Sequence, residues 1–105
     1  MEQPNFKNID KLTRGDEDIK NMLIDVIKTE FPIEKKQYLE NFNSKNLEKT
    51  AENVHKLKSK ISILGLLKSY EIANTYEHNL KGNSIEGYKD FEKILNTISD
   101  FVEKI

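Results

Sequence analysis

Residues 53–70 contain His55, one of the two histidines in the chain, together with four lysines and no acidic residue. The imidazole of a solvated histidine is mainly neutral at neutral pH, so it can act as a nucleophile, a base or a metal ligand. Lys58 follows three residues later, which makes the two side chains neighbours on a helix surface. A lysine in that position can offset the negative charge of an anion attached to the ring.

A helix over this stretch would place His55 outside the core-facing stripe. At about 100° per residue, the apolar residues gather on the opposite face: Val54, Leu57, Ile61 and Leu64. The residues within about 60° of His55 are basic or small: Lys58, Ser59 and Ser62. The imidazole is therefore expected to be accessible, with a cation beside it.

Helical periodicity dominates the rest of the chain, and no segment keeps a period of two. The predicted helical segments cover about residues 5–13, 16–30, 32–42, 46–65, 66–81 and 85–104. Pro32 is expected to interrupt the chain between the second and third of these. Short loops favour antiparallel neighbours. We predict an all-α fold: an antiparallel up-down four-helix bundle over residues 16–104, with a short N-terminal helix, in a single domain of residues 1–105.

The apolar residues of these segments define the predicted core. On the segment 16–30 they form a stripe at helical spacing: Ile19, Met22, Leu23, Val26 and Ile27. On the segment after Pro32 the residues expected to be buried are Ile33, Leu39 and Phe42. On the segment 66–81 the expected inner face consists of Leu67, Tyr70, Ala73, Tyr76 and Leu80.

Composition excludes several classes of function. The chain has 17 basic and 18 acidic residues, a balance that argues against nonspecific nucleic-acid binding and gives no polybasic membrane surface. It has no cysteine, which excludes disulfides, thiolate zinc sites and thiol catalysis. The four glycines are isolated, so there is no glycine-rich loop to bind ATP. The N-terminus lacks a signal-peptide pattern and no stretch could span a membrane, which indicates a cytoplasmic protein.

The segment from His55 to Gly65 reads HKLKSKISILG. It has a histidine, an apolar residue two positions on, a lysine three on, small residues after that, and a glycine ten on. This pattern, on the central helix of a helical bundle of this length, resembles the histidine-containing phosphotransfer (HPt) domain. The similarity extends to the lead-in helix, the Gly15-Asp16 turn and the order of the helices.

The resemblance implies that His55 accepts a phosphoryl group from the phospho-aspartate of a receiver domain and passes it to another receiver. Lys58 would assist by offsetting the charge of that group, an attraction of about 1 kcal/mol at an exposed site. The residues that would be small enough for close approach of the partner are Ser59, Ser62 and Gly65. Candidate docking contacts are Lys56, Ile63 and Leu66.

The expected partners are response-regulator receiver domains and a hybrid sensor histidine kinase, and the expected state is a cytoplasmic monomer. The chain would carry phosphoryl groups without kinase activity. It would need no metal or cofactor of its own, because the acidic pocket of the receiver supplies Mg²⁺ and most of the transition-state stabilisation. No binding to nucleic acid or to a membrane is expected. A sequence that starts at Met1 and ends with the last helix favours a free-standing protein over a piece of a larger kinase.

One residue departs from the HPt pattern. Lys60 stands where these domains usually have a small residue, and a helical wheel at 100° per residue places it about 140° from His55. We expect it to affect partner docking more than phosphorylation. The alternative function is a docking module that binds a receiver or a histidine kinase without being phosphorylated.

Two other interpretations of the histidines are weaker. Glu52 and His55 have the Glu-x-x-His spacing of di-iron carboxylate bundles. A second copy is missing, since Thr75 stands three residues before His78, and the wheel turns Glu52 and His55 away from the core. His78 has no matching pattern around it and is expected to be a surface residue.

Overall fold

The computed structural model describes residues 2–105, and the regular structure in this range consists of five α-helices without a strand. The helices are α1 (Lys7–Thr13), α2 (Glu17–Asn43), α3 (Leu47–Ile63), α4 (Leu67–Lys81) and α5 (Tyr88–Lys104). The all-α class is confirmed. None of these helices is long and apolar enough to cross a membrane.

Polar side chains cap the N-termini of α2 and α3. The Asp16 carboxylate accepts hydrogen bonds from the backbone N–H groups of Asp18 and Ile19, which caps α2. The Asn46 side chain accepts from the N–H of Lys49 and caps α3. The Asn46 cap therefore fixes the start of the helix that carries His55.

Pro32 lies inside α2, so the prediction of a break there is wrong. A proline in a helix interior removes one N–H donor and crowds the preceding turn. Here the residues on both sides are anchored, because Phe31 and Tyr38 are almost fully buried. Their burial holds α2 as one helix of 27 residues across the proline.

Helix α3 lies at the centre of the molecule, packed between α2 and α4, while α5 contacts both α2 and α4. Most of the predicted inner residues of α3 and α4 are buried. The fully buried side chains of α3 and the turn after it include Val54, Leu57, Ile61 and Leu64. The hydroxyl groups of Tyr38 and Tyr76, 2.7 Å apart, satisfy each other inside the core.

The predicted core stripe of α2 is only partly correct. Ile27 is buried and Leu23 is partly buried, but Ile19, Met22 and Val26 are exposed. Elements that pack on α2 are α1, α3 and α5, and they cover one side of it. Two further residues expected inside are also exposed, Ile33 and Leu67.

The N-terminal segment holds the connection between α3 and α4. The N–H of Asn5 donates to the carbonyl of Leu64 at 2.9 Å. The Glu2 carboxylate accepts from the N–H of Ser69 at 2.6 Å, in the first turn of α4. This segment therefore fixes the start of α4 relative to the end of α3.

Candidate functional site

His55 lies on the outward face of α3, and its side chain is 70% exposed, as its place on the wheel predicted. Its Nδ1 is 3.3 Å from Oε2 of Glu77 on α4. An ionised carboxylate only accepts hydrogen bonds, so this contact is favourable when Nδ1 carries the proton. In that tautomer Nε2 has the lone pair, and no hydrogen bond to Nε2 is found in the part of the chain that the structure describes.

Glu77 is buried, with 7% of its side chain exposed, and three cationic or basic groups surround it. Besides His55, the ammonium group of Lys58 lies 2.7 Å from Oε1, and that of Lys81 lies 3.0 Å from Oε2. The Lys58 contact is an ion pair without hydrogen-bond geometry. We refer to His55, Lys58, Glu77 and Lys81 as the His55 cluster.

The charge state of Glu77 follows from this environment. Burial opposes ionisation, but the ammonium groups of Lys58 and Lys81 outweigh it, so the pKa of the Glu77 carboxyl lies below its ordinary value. Glu77 is therefore ionised at neutral pH and provides a fixed negative charge behind the imidazole.

Lys58 is not the solvated lysine that its sequence position suggests. Only 11% of its side chain is exposed. Its Nζ donates to Oδ1 of Asn74 at 3.0 Å and lies 5.5 Å from the centre of the Tyr70 ring. Three groups of α4 thus hold the Lys58 amine against that helix, beneath the imidazole.

Two open grooves flank His55. The first runs between α3 and the C-terminal half of α4, with an apolar floor and with Lys56 and Lys81 among its lining residues; the floor is formed by Leu47, Ala51 and Leu80. The second runs towards α1 and includes Lys58, Ser59 and Ser62. The imidazole therefore stands on a ridge that an approaching partner can reach from both sides.

The small residues predicted around His55 are exposed next to it. Ser59 Oγ donates to the carbonyl of Lys56 at 2.8 Å, within its own helix. The Ser62 carbonyl accepts from Nδ2 of Asn8 at 2.9 Å. Neither hydroxyl makes a contact with His55 in residues 2–105, which fits a role as small residues only.

The three candidate docking residues have different environments. Lys56 is exposed, and Ile63 is partly buried in the second groove. Leu66 is 1% exposed, so its side chain is not available at the surface for the predicted docking contact. The reason is its position just before α4, where its side chain joins the core.

Gly65 occupies the turn between α3 and α4 with φ +77, a conformation that favours glycine. A Cβ there would come within 2.7 Å of the Asn5 side chain. The segment that packs closely against Gly65 is thus the N-terminal segment of this chain itself. Since a helix rises about 1.5 Å per residue, the turn lies about 15 Å from His55 along α3.

Lys60 faces α2 and not the surface around His55. Its side chain is 11% exposed, and its Nζ lies 2.9 Å from Glu30 and 3.3 Å from Glu34. Burial lowers the pKa of Lys60, but the two carboxylates outweigh this effect and the net pKa is raised. This placement gives no support to the expectation that Lys60 affects partner docking, because the ammonium group connects α3 to α2.

The geometry supports neither a functional role for His78 nor a metal site at Glu52 and His55. His78 is exposed on α4, as expected. Glu52 is also exposed. Across residues 2–105, no three His, Cys, Asp or Glu side chains come together as metal ligands would.

Sequence reasoning missed Glu77 and Lys81. Their link to His55 depends on how α4 packs on α3, so no local pattern around His55 contains it. One signal was present in α4 itself: Glu77 falls between Ala73 and Leu80 on the predicted inner face, at helical spacing. A carboxylate in a core stripe requires a partner, and Lys58, three residues after His55, is one of the partners of Glu77.

In comparisons with protein-family models, with curated proteins and with solved structures, nothing matches this chain.

Proposed function

We propose that this protein is a histidine phosphotransfer protein of the HPt type, with an antiparallel up-down four-helix arrangement preceded by a short helix. His55 accepts a phosphoryl group from a receiver-domain aspartate and passes it to another receiver. The observation that carries the proposal is the placement of His55: the ring is exposed, its Nδ1 faces a buried ionised carboxylate, and Nε2 is open.

The transfer step uses the lone pair of Nε2. As the Nε2–P bond forms, the bond between phosphorus and the aspartyl oxygen breaks, and the aspartate leaves as a carboxylate. No proton has to leave the attacking nitrogen, because the ring proton is on Nδ1. The positive charge that develops on the ring is stabilised by Glu77, 3.3 Å from Nδ1. The reverse sequence returns the phosphoryl group to a second aspartate.

The charge balance of the His55 cluster suits an anion. One carboxylate, Glu77, faces two lysines, so the cluster has one positive charge in excess before the imidazole is counted. A phosphoryl group adds a charge of about −1.5 to −2 at neutral pH. The excess cation offsets part of that charge, and the partner receiver with its Mg²⁺ supplies the remainder.

The surroundings of His55 also suit a protein partner. The ridge between the two grooves offers an apolar floor, a rim of mixed charge that includes Glu48 and Glu52, and small residues within reach of the ring. An acidic receiver pocket would meet Lys56 and Lys81 on this rim, and such complementarity mainly accelerates encounter. The proposal thus includes receiver domains and a hybrid histidine kinase as partners, in the cytoplasm, with the protein as a monomer.

The decisive experiment measures phosphoryl transfer to this chain. A receiver domain charged by a small phosphodonor in the presence of Mg²⁺ is mixed with the protein, and label on the protein is followed with time. His55→Gln runs beside it, and His78→Gln serves as the matched histidine control, since His78 is exposed on α4. We expect label that is acid-labile and base-stable, retained in His78→Gln and absent from His55→Gln.

The alternative, a docking module without phosphorylation, gives a different outcome. If several receivers bind the chain and none of them transfers label to it, the docking function replaces the phosphotransfer proposal. Label that persists in His55→Gln would assign the acceptor to another residue and contradict the role given to His55.

A further inference from the structure

The two lysines around Glu77 differ in their freedom to move. Lys58 is 11% exposed and is held by Glu77, by Asn74 and against the ring of Tyr70. Lys81 is 65% exposed, and Glu77 is its single ion-pair partner within residues 2–105. An exposed, flexible lysine with one ion-pair partner can exchange that partner, whereas a buried ammonium group with three contacts can do so only at a high cost in free energy.

Lys81 and His55 share one oxygen of Glu77. Lys81 Nζ and His55 Nδ1 both contact the same oxygen, Oε2 of Glu77, at 3.0 and 3.3 Å. The two nitrogens can therefore be no farther apart than the sum of those distances. Lys58 contacts the other oxygen, Oε1. Lys81 and His55 also line the same groove.

A phosphoryl group on the imidazole would change what Lys81 faces. It adds negatively charged oxygens on an exposed ring next to an exposed ammonium group. Glu77 keeps Lys58 and the protonated Nδ1 as partners when Lys81 leaves it, so no buried carboxylate is left without a counter-charge.

We infer that Lys81, and not Lys58, is the lysine of the His55 cluster that contacts the phosphoryl group: Lys81 exchanges Glu77 for the phosphoryl group on His55, while Lys58 stays on Glu77 and keeps it in position. This inference rests on the proposed phosphotransfer function. It assigns the two lysines different roles: Lys58 is a positioning residue that acts through Glu77, and Lys81 contacts the transferred group.

The test uses the full chain and needs no protein partner. Phosphoramidate donates its phosphoryl group to an imidazole nitrogen with release of ammonia, and ³¹P NMR then follows the titration of the phosphohistidine. Removal of a nearby cation favours protonation of the phosphohistidine. For Lys81→Gln we expect the titration midpoint to move to higher pH by about half a unit, the size of an exposed charge pair.

Two further variants separate contact with the phosphoryl group from other effects. Lys49→Gln removes the same charge from an exposed site on α3, where no ion pair is found in the described range, and we expect the wild-type midpoint. Lys81→Arg keeps the charge and should restore the wild-type midpoint; a midpoint that stays at the Lys81→Gln value would contradict an electrostatic role of Lys81.

The outcomes distinguish this inference from the proposal beneath it. A phosphohistidine at position 55 whose midpoint is the same in Lys81→Gln and in wild type would overturn the role of Lys81 and leave the phosphotransfer proposal standing. If neither phosphoramidate nor a charged receiver labels His55, the phosphotransfer proposal fails and the role of Lys81 fails with it.

Discussion

Helix α3 carries two buried lysines, two residues apart, that lie in opposite electrostatic settings. Lys58 belongs to the His55 cluster, in which one carboxylate faces two lysines and an exposed imidazole. Lys60 faces Glu30 and Glu34 on α2, one lysine for two carboxylates, and we call these three residues the Lys60 cluster. Both lysines have 11% of the side chain exposed. Burial of a lysine on this helix therefore does not by itself indicate a functional site.

The difference between the clusters lies in the sign of their excess charge and in their access to solvent. The His55 cluster has an excess of positive charge and a nucleophile at the surface, so it can receive an anion. The Lys60 cluster has an excess of negative charge and would repel one. We interpret the Lys60 cluster as a connection between α2 and α3, and the His55 cluster as a connection between α3 and α4 that also positions a reactive group.

The largest expected effect comes from the centre of the His55 cluster. Glu77→Gln leaves Lys58 buried without a counter-charge, so we expect a loss of about 3 kcal/mol in unfolding free energy. Phosphorylation of His55 by phosphoramidate should also slow, because the charge behind Nδ1 is gone. Urea denaturation and ³¹P NMR measure the two effects.

The control for this substitution is Glu71→Gln on the same helix. Glu71 is exposed and takes part in no ion pair within residues 2–105, so its change should stay within about 0.5 kcal/mol. Equal stability of the two variants would contradict the central position given to Glu77.

The second effect separates the clusters directly. Lys60→Met keeps the apolar stem of the side chain but leaves Glu34, which is 18% exposed, beside Glu30 without a cation. We expect a loss of about 2 kcal/mol in stability, with phosphorylation of His55 unchanged. Adding Glu34→Gln to this variant should recover part of the loss. Impaired phosphorylation in a folded Lys60→Met protein would show that the clusters are not independent.

The third prediction concerns Gly65, which the HPt pattern assigns to partner approach. Gly65→Ala places an alanine at φ +77 and brings its Cβ against Asn5. We expect a loss of about 1 kcal/mol or slightly more in unfolding free energy, and no change in labelling by a charged receiver. Gly82→Ala is the matched control, because Gly82 has negative φ and should tolerate the change. A receiver-labelling defect in a stably folded Gly65→Ala protein would restore the docking role.

The comparison of clusters also shows what could be predicted from sequence. Helical periodicity located α3, α4 and α5 to within a few residues, and the wheel turned His55 outwards, because both depend on local spacing. The environments of Lys58 and Lys60 depend on which helix packs on each side of α3. No pattern within α3 contains that information, so the wheel could not tell that either lysine was buried.

The continuity of α2 across Pro32 also depends on tertiary packing and not on the local sequence pattern. Local sequence favours a break at a proline, but burial of Phe31 and Tyr38 on either side keeps the helix intact. The reverse error occurred at Leu66 and at Met22, where local spacing predicted an exposed and a buried residue respectively. In each case the packing partner, and not the local pattern, decides the outcome.

The smallest expected effect is a difference in pH dependence between the clusters. The pKa of the Glu77 carboxyl is below its ordinary value of 4.5, so the stability that Glu77 provides is complete above 4.5 and is lost as pH falls through the folded value. The pKa of Lys60 is above its ordinary value of 10.5, so its contribution is complete below 10.5 and is lost as pH rises further. The His55 cluster should therefore weaken in acid and the Lys60 cluster in alkali. The measurement is the unfolding free energy of wild type, Glu77→Gln and Lys60→Met across the acid and alkaline ranges. We expect Glu77→Gln to remove the pH dependence in acid only, and Lys60→Met to remove it in alkali only. Loss of the dependence in the opposite range would contradict the assignment.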